Sequence, residues 1–170
     1  MTIKRLIAVF LLVSAFAACG AESTNRLKFS EAGFSIAPLE VAPGDSVQLA
    51  LTMSLPAADN FSGNVNVQIQ PYTGTIDEYA ALSLKQFQEH KLKIIAKKKV
   101  GTSVLALEYA GEMSGRSLHW YYRAEKSGDH AYLATATTTE TSWADQSTAL
   151  KTCVNSFRCN PALSVDRPRR

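Results

Sequence analysis

The chain has 170 residues, 46% of them hydrophobic and 19% charged, which is room for one domain of ordinary size with a real core and excludes a disordered polymer. The formal charge is +3. Without Lys4 and Arg5 the 18 basic residues become 16 against 15 acidic, a charge of about +1, which gives no electrostatic basis for a nucleic-acid partner.

Lys4-Arg5 make a short basic start, and Leu6 to Ala18 are thirteen residues without a charge. A bilayer span needs roughly 20 apolar residues, so this run predicts the core of a cleavable signal peptide over 1–18. It ends Phe16-Ala17-Ala18-Cys19-Gly20, with small residues ahead of a cysteine. That stretch resembles the lipobox of bacterial lipoproteins, in which the Cys sulfur is acylated and becomes the new N-terminus. It departs from the pattern at Phe16, where Leu, Val or Ile is usual. The resemblance implies lipidation at Cys19 and a membrane-anchored, exported protein; secretion after cleavage near Ala18 and an uncleaved anchor are the alternatives. Since Gly20 is not Asp, the resemblance also implies the outer membrane, facing the periplasm, in a Gram-negative host.

Residues 19–26 are small and polar, as a lipidated tether should be. A single α+β domain is expected over 27–158 and a loose tail over 159–170. Leu27 to Leu39 alternate around Glu31-Ala32-Gly33, a hairpin pattern, and Ala42-Pro43-Gly44-Asp45 is a turn by composition. Val47 to Leu55 and Val65 to Gln70 each show the period-2 alternation of a strand with one buried face. Thr75-Ile76-Asp77-Glu78 has the spacing of a capping box and predicts a helix from Ile76 to Lys91 with Ile76, Ala80, Leu84 and Phe87 on one stripe. Strands are predicted at Lys93–Val100, Val104–Ala110, Arg116–Ala124 and His130–Thr138, with turns at Gly101, from Gly111 to Gly115, and at Ser127-Gly128-Asp129. Thr141 or Ser142 can cap a final helix carrying Trp143, Ser147, Leu150, Val154 and Phe157. Strands in hairpin succession with one mid-chain and one terminal helix indicate an α+β fold, a largely antiparallel sheet with helices packed on it.

The stretch Asn64-Val65-Asn66-Val67, Ile69, Pro71-Tyr72, Gly74 and Glu78-Tyr79 resembles the PsbP-like, or DcrB-related, family of small exported domains. So do Leu107-Glu108-Tyr109, Gly111, Gly115, Leu118 and Trp120-Tyr121, the Tyr132, Thr135, Thr137 strand and the closing Ser156-Phe157. The resemblance covers roughly residues 29–158 and implies an α/β/α sandwich built on an antiparallel sheet. Proteins of that fold include photosystem-associated extrinsic subunits, envelope lipoproteins and a factor acting on the Ran GTPase. Association with proteins, rather than catalysis, is what they share.

Three cysteines resolve into Cys19 for lipid and Cys153 with Cys159 as a disulfide pair in an oxidising compartment. A spacing of six is about 9 Å of helical rise, beyond the roughly 7 Å limit between bridged Cα atoms, so the bridge requires the helix to stop between them. No G-x-S-x-G, H-E-x-x-H, phosphate-binding loop or S-x-x-K is present. Gly44-Asp45-Ser46 lacks the Asp-x-x-His that a hydrolase using such a block would need, so it reads as a turn. Neither a cofactor nor a metal site is expected. Alternation puts His119, Tyr121 and Arg123 on one strand face, a candidate binding face along an open groove. Lys91, Lys93, Lys97, Lys98 and Lys99 form a candidate anion-contacting patch, with an edge strand protected by lysines as the plainer reading. The expected function is a non-catalytic, lipid-anchored envelope module that binds a protein or envelope component. A small-ligand carrier with a pocket between sheet and helix is the alternative, and a hydrolase comes third.

Overall fold

The structure, a computed structural model, describes residues 26–30, 33–37 and 47–160. The signal segment, Cys19, most of the tether, the Ala42–Asp45 turn and the tail beyond Asn160 lie outside the described residues. The chain divides into two compact units, Met1–Pro43 and Gly44–Arg170.

In the first unit, β1 (Leu27–Phe29) and β2 (Phe34–Ile36) pair antiparallel, Leu27 opposite Ile36 and Phe29 opposite Phe34. Gly33 takes φ +74 at the turn, where a residue without Cβ is unstrained. The second unit contains β3 (Gln48–Ser54), β4 (Asn64–Pro71), α1 (Ile76–Glu89), β5 (Lys93–Val100), β6 (Val104–Met113), β7 (Arg116–Ser127), β8 (His130–Thr139) and α2 (Trp143–Ser156). The six strands form one antiparallel sheet in the order β3-β4-β8-β7-β6-β5. Two helices packed on a six-stranded antiparallel sheet make this an α+β fold.

Period-2 alternation sorts the sheet into two faces. Leu105, Leu107 and Tyr109 of β6, Leu118, Trp120, Tyr122 and Ala124 of β7, and Ala131 and Leu133 of β8 form the face that packs against Ile76, Tyr79 and Ala80 of α1. Val65 of β4 and Ala134 and Ala136 of β8 form the opposite face, packed on Leu150 and Val154 of α2. The helices therefore lie on opposite sides of the sheet. Among the described residues no helix is long and apolar enough to cross a membrane.

The capping box predicted for α1 is present: the Thr75 hydroxyl accepts from the Glu78 backbone NH at 3.2 Å, and Glu78 Oε2 accepts from the Thr75 NH at 2.7 Å. The Thr75 hydroxyl also donates to that carboxylate at 3.0 Å, and the backbone and side-chain bonds from Thr75 hold the Glu78 carboxyl below its usual range. Thr75→Ala is expected to cost about 1 kcal/mol, read as a lower denaturation midpoint, because it strands one helix-terminal NH. The helix stops two residues short of the predicted end, with His90 as its C-cap and Lys91 at φ +55.

Three expectations are corrected. Gly111 is not a turn residue: it lies inside β6 opposite Leu118, and a Cβ there would fall 2.6 Å from Leu92 Cδ2. The glycine serves close packing, and the turn is only Ser114-Gly115, at φ +53 and +73, the two-residue geometry that matches strand twist. The start of α2 has no side-chain cap; Ser142 is in αR, and its hydroxyl accepts instead from Thr139 at 2.9 Å. Finally, Cys153 and Cys159 are free thiols. The helix does end between them, at Ser156. Cys153 packs with the α2 core, whereas the Cys159 thiol lies by Ser127 and Tyr132 and its backbone NH donates to Glu125 Oε2 at 2.8 Å.

Candidate functional site

His119, Tyr121 and Arg123 lie on the α2 side of β7, and the open groove expected along them is closed by α2 and the residues after it. The His119 imidazole is 4% exposed and stacks on Trp143 with 3.8 Å between ring centroids. Its Nδ1 lies 2.8 Å from Glu140 Oε2 and its Nε2 lies 3.1 Å from Glu108 Oε1. Glu108 also accepts from Lys151 Nζ at 2.8 Å, and that ammonium sits over the Tyr121 and Trp143 rings at 5.5 and 5.3 Å. Partial burial pushes the Glu108 carboxyl up, but the hydrogen bonds and charges of Lys151 and His119 outweigh it and hold the group below its usual range. Tyr121 donates to Asn155 Oδ1 of α2 at 2.9 Å. Arg123 pairs with Glu125 at 2.6 Å, and the other Glu125 oxygen receives the Cys159 NH. His119 and Tyr121 thus hold α2 to the sheet, Arg123 pairs with the Glu125 carboxylate that receives the chain after α2, and all three make internal contacts.

Cys159 belongs to the same seam. Burial raises its pKa, and the Glu125 carboxylate raises it further, while Ser127 and Tyr132 act in the opposite sense. Its thiolate is disfavoured, the reverse of a nucleophilic cysteine.

The five lysines do not form one patch. Lys91 is in the turn after α1. Pairing places Lys97 opposite Leu107 and Lys99 opposite Leu105, on the α1 side, and Lys93 opposite Ala110 and Lys98 opposite Ala106, on the α2 side. Lys99 is bound to Asp77 through both carboxylate oxygens at 2.7 Å. Since β5 is an edge strand, lysines on both its faces are what deters pairing with another sheet.

The groove is on the other face. Helix α1 lies chiefly over β5 and β6, and beside it, over β4 and β8, is a groove of about 470 Å³. Its floor is a row of amides on β4 (Asn66, Gln68, Gln70) beside Thr135 and Thr137 of β8; Asn66 faces Thr135 across the ladder. One wall is Tyr79, Ser83, Gln86 and Phe87 of α1. The aromatic end is a run of rings in which Tyr109 stacks on Phe87 at 4.2 Å and on Trp120 at 5.1 Å.

Among the described residues no lining side chain carries a formal charge, and the chemistry is that of neutral donors and acceptors. Burial pushes the Tyr122 phenol up to about 12 and raises Tyr79 and Tyr109 as well. All three therefore remain protonated donors at neutral pH. The Tyr79 hydroxyl donates to Gln70 Oε1 at 2.8 Å, and Gln70 Nε2 donates to Gln68 Oε1 at 3.3 Å, which orients those two amides. The Ser83 hydroxyl donates to the Tyr79 carbonyl at 2.9 Å. Asn66 Oδ1 and the Tyr122 hydroxyl are buried without a hydrogen-bond partner, a condition that costs about 1–3 kcal/mol per group in an apolar setting. Ser83 has no base beside it, and among the described residues no group of His, Cys, Asp or Glu is placed to hold a metal ion.

These residues are visible in the sequence only as the polar alternates of two strands, a pattern that ordinarily means a solvated face. The one available signal is that Asn66, Gln68 and Gln70 are all amides, with no Lys or Glu among them.

No protein-family model and no curated protein matches the chain. Solved structures do. The crystal structure of PA94, a protein of unknown function from Pseudomonas aeruginosa, matches with a TM-score of 0.60 at 17% identity, over 80% of this chain and 96% of that one. The solution structure of the cyanobacterial PsbP (CyanoP) of Synechocystis sp. PCC 6803 matches with a TM-score of 0.49 at 13% identity, over 85% and 99%. At 17% identity the likeness to PA94 is one of fold.

Proposed function

We propose that this chain is a non-catalytic, lipid-anchored envelope module. In this reading acylated Cys19 holds it at the membrane, facing the periplasm from the outer membrane of a Gram-negative host, and the groove between α1 and the β4–β8 half of the sheet binds a protein or other envelope component. The observation that carries the reading is the groove's lining: fixed, uncharged hydrogen-bonding groups, two of them buried and unpartnered, beside an aromatic end. Such a surface can recognise neutral polar groups and has no acid, base or nucleophile pair with which to transform them. The volume of about 470 Å³ also suits a small ligand, which keeps the carrier as a second reading. The groove's open side and polar floor favour a segment of something larger over an enclosed apolar guest.

A photo-crosslinker in place of Gln68, on the groove floor, tests this in intact cells against the same crosslinker in place of Lys98, on the opposite face of the sheet. A discrete macromolecular adduct is expected from position 68 alone, with Cys19→Ala moving the protein to the soluble fraction. Adducts from position 98 and none from position 68 would overturn the groove as the binding surface. A small molecule that co-purifies with the wild type and is lost on Gln68→Trp would transfer the conclusion to the carrier.

A further inference from the structure

The hairpin of the first unit has two chemically distinct faces. Cross-strand pairing puts Leu27, Ile36, Phe29 and Phe34 together on one of them. Their exposures are 49%, 54%, 36% and 53%, and the two Phe rings stack at 4.7 Å. The other face is polar and basic: Lys28 stands opposite Ser35, and Arg26 reaches across to the Ser35 hydroxyl at 2.8 Å and its carbonyl at 2.9 Å. Two strands of three residues with an open apolar face do not sustain themselves in water, because a lone hairpin is marginal without a surface to pack on.

The length of chain before the hairpin identifies that surface. Only residues 20–26 separate Cys19 from Leu27, a reach of at most about 27 Å when fully extended. A hairpin so close to an acyl chain spends its time at the membrane surface. We propose that the Leu27, Phe29, Phe34, Ile36 face lies in the lipid interface, with Arg26 and Lys28 at the level of anionic headgroups, so that the hairpin is a second membrane contact beside the acyl anchor. The inference rests on the lipid-anchored reading above. Apolar area supplies the insertion and basic flanks supply attraction to anionic lipid, as in amphipathic segments that lie in the bilayer surface.

The test uses the full-length acylated protein, reconstituted into phosphatidylethanolamine–phosphatidylglycerol vesicles with and without brominated acyl chains. Phe34→Trp and, as a second probe, Ile36→Trp place a reporter on the apolar face; Leu82→Trp, at a position 45% exposed on α1, is the control. Emission in excess of the wild type is expected to be blue-shifted and quenched by brominated lipid at positions 34 and 36 and at neither measure for position 82. Vesicle-bound protein with both hairpin probes unquenched would overturn the inference and leave the anchor standing. Protein that carries no acyl chain by intact mass and does not float with vesicles would overturn the anchor, and this inference with it. Probes already blue-shifted in the lipid-free Cys19→Ala protein would show that protein, its own sheet or a second copy, covers the face, and would likewise overturn it.

Discussion

Leu107→Ala is expected to lower the unfolding free energy by about 3 kcal/mol, seen as a fall in the denaturant midpoint at unchanged slope. Leu107 is 0% exposed on β6, flanked in register by Lys97 of β5 and Tyr122 of β7. It belongs to the cluster that ties α1 to the sheet, with Phe87 and Ile94 packed at its edge. Truncation removes the transfer free energy of three carbons and leaves a cavity that two hydrogen-bonded neighbouring strands cannot collapse to fill. Leu82→Ala, on the exposed side of α1, should stay within about 0.5 kcal/mol of wild type. Equal losses at the two positions would mean that α1 is not packed as described.

Glu108→Ala is expected to cost about 2 kcal/mol near neutral pH, since it strips His119 and Lys151 of an acceptor in a part-buried seam. The loss should depend on pH in a defined direction. Because the folded-state pKa of Glu108 is held below its ordinary value, its contribution is complete above about 4.3 and disappears as pH falls through the folded value. Wild type and variant should therefore converge on acidification, followed by urea melts at a series of pH values. A gap that stays constant from neutral pH into the acid range would show that Glu108 acts through packing and not as a paired carboxylate.

The fold was legible because its signals are local. The box at Thr75 and Glu78, the alternation of β3 to β8 and the stripe Leu150–Val154 each act through neighbours in sequence. The seam and the groove are products of pairing between strands far apart. Alternation correctly placed His119, Tyr121 and Arg123 on one face, but what covers a face is decided by where α2 lands, and no local rule states that. The same holds for Asn66 and Gln68: a polar alternate looks identical whether it meets water or lines a concavity roofed on one side by a helix. Gly111 illustrates a third limit, since a glycine required for contact with Leu92 has the same letter as one required for a turn.

The strand order bears on how the protein is assembled. Strands β5 to β8 follow one another as adjacent hairpins, so their ladders can zip from the Ser114-Gly115 and Gly128-Asp129 turns with little chain to close. Pairing β4 with β8 instead closes a loop containing α1 and the entire meander. Loop-closure entropy falls chiefly on that one ladder, and it is the ladder whose two strands supply the amide and threonine rows of the groove floor. The groove floor thus depends on the least local pairing in the sheet, and a chain that has formed only its β5–β8 meander still lacks it.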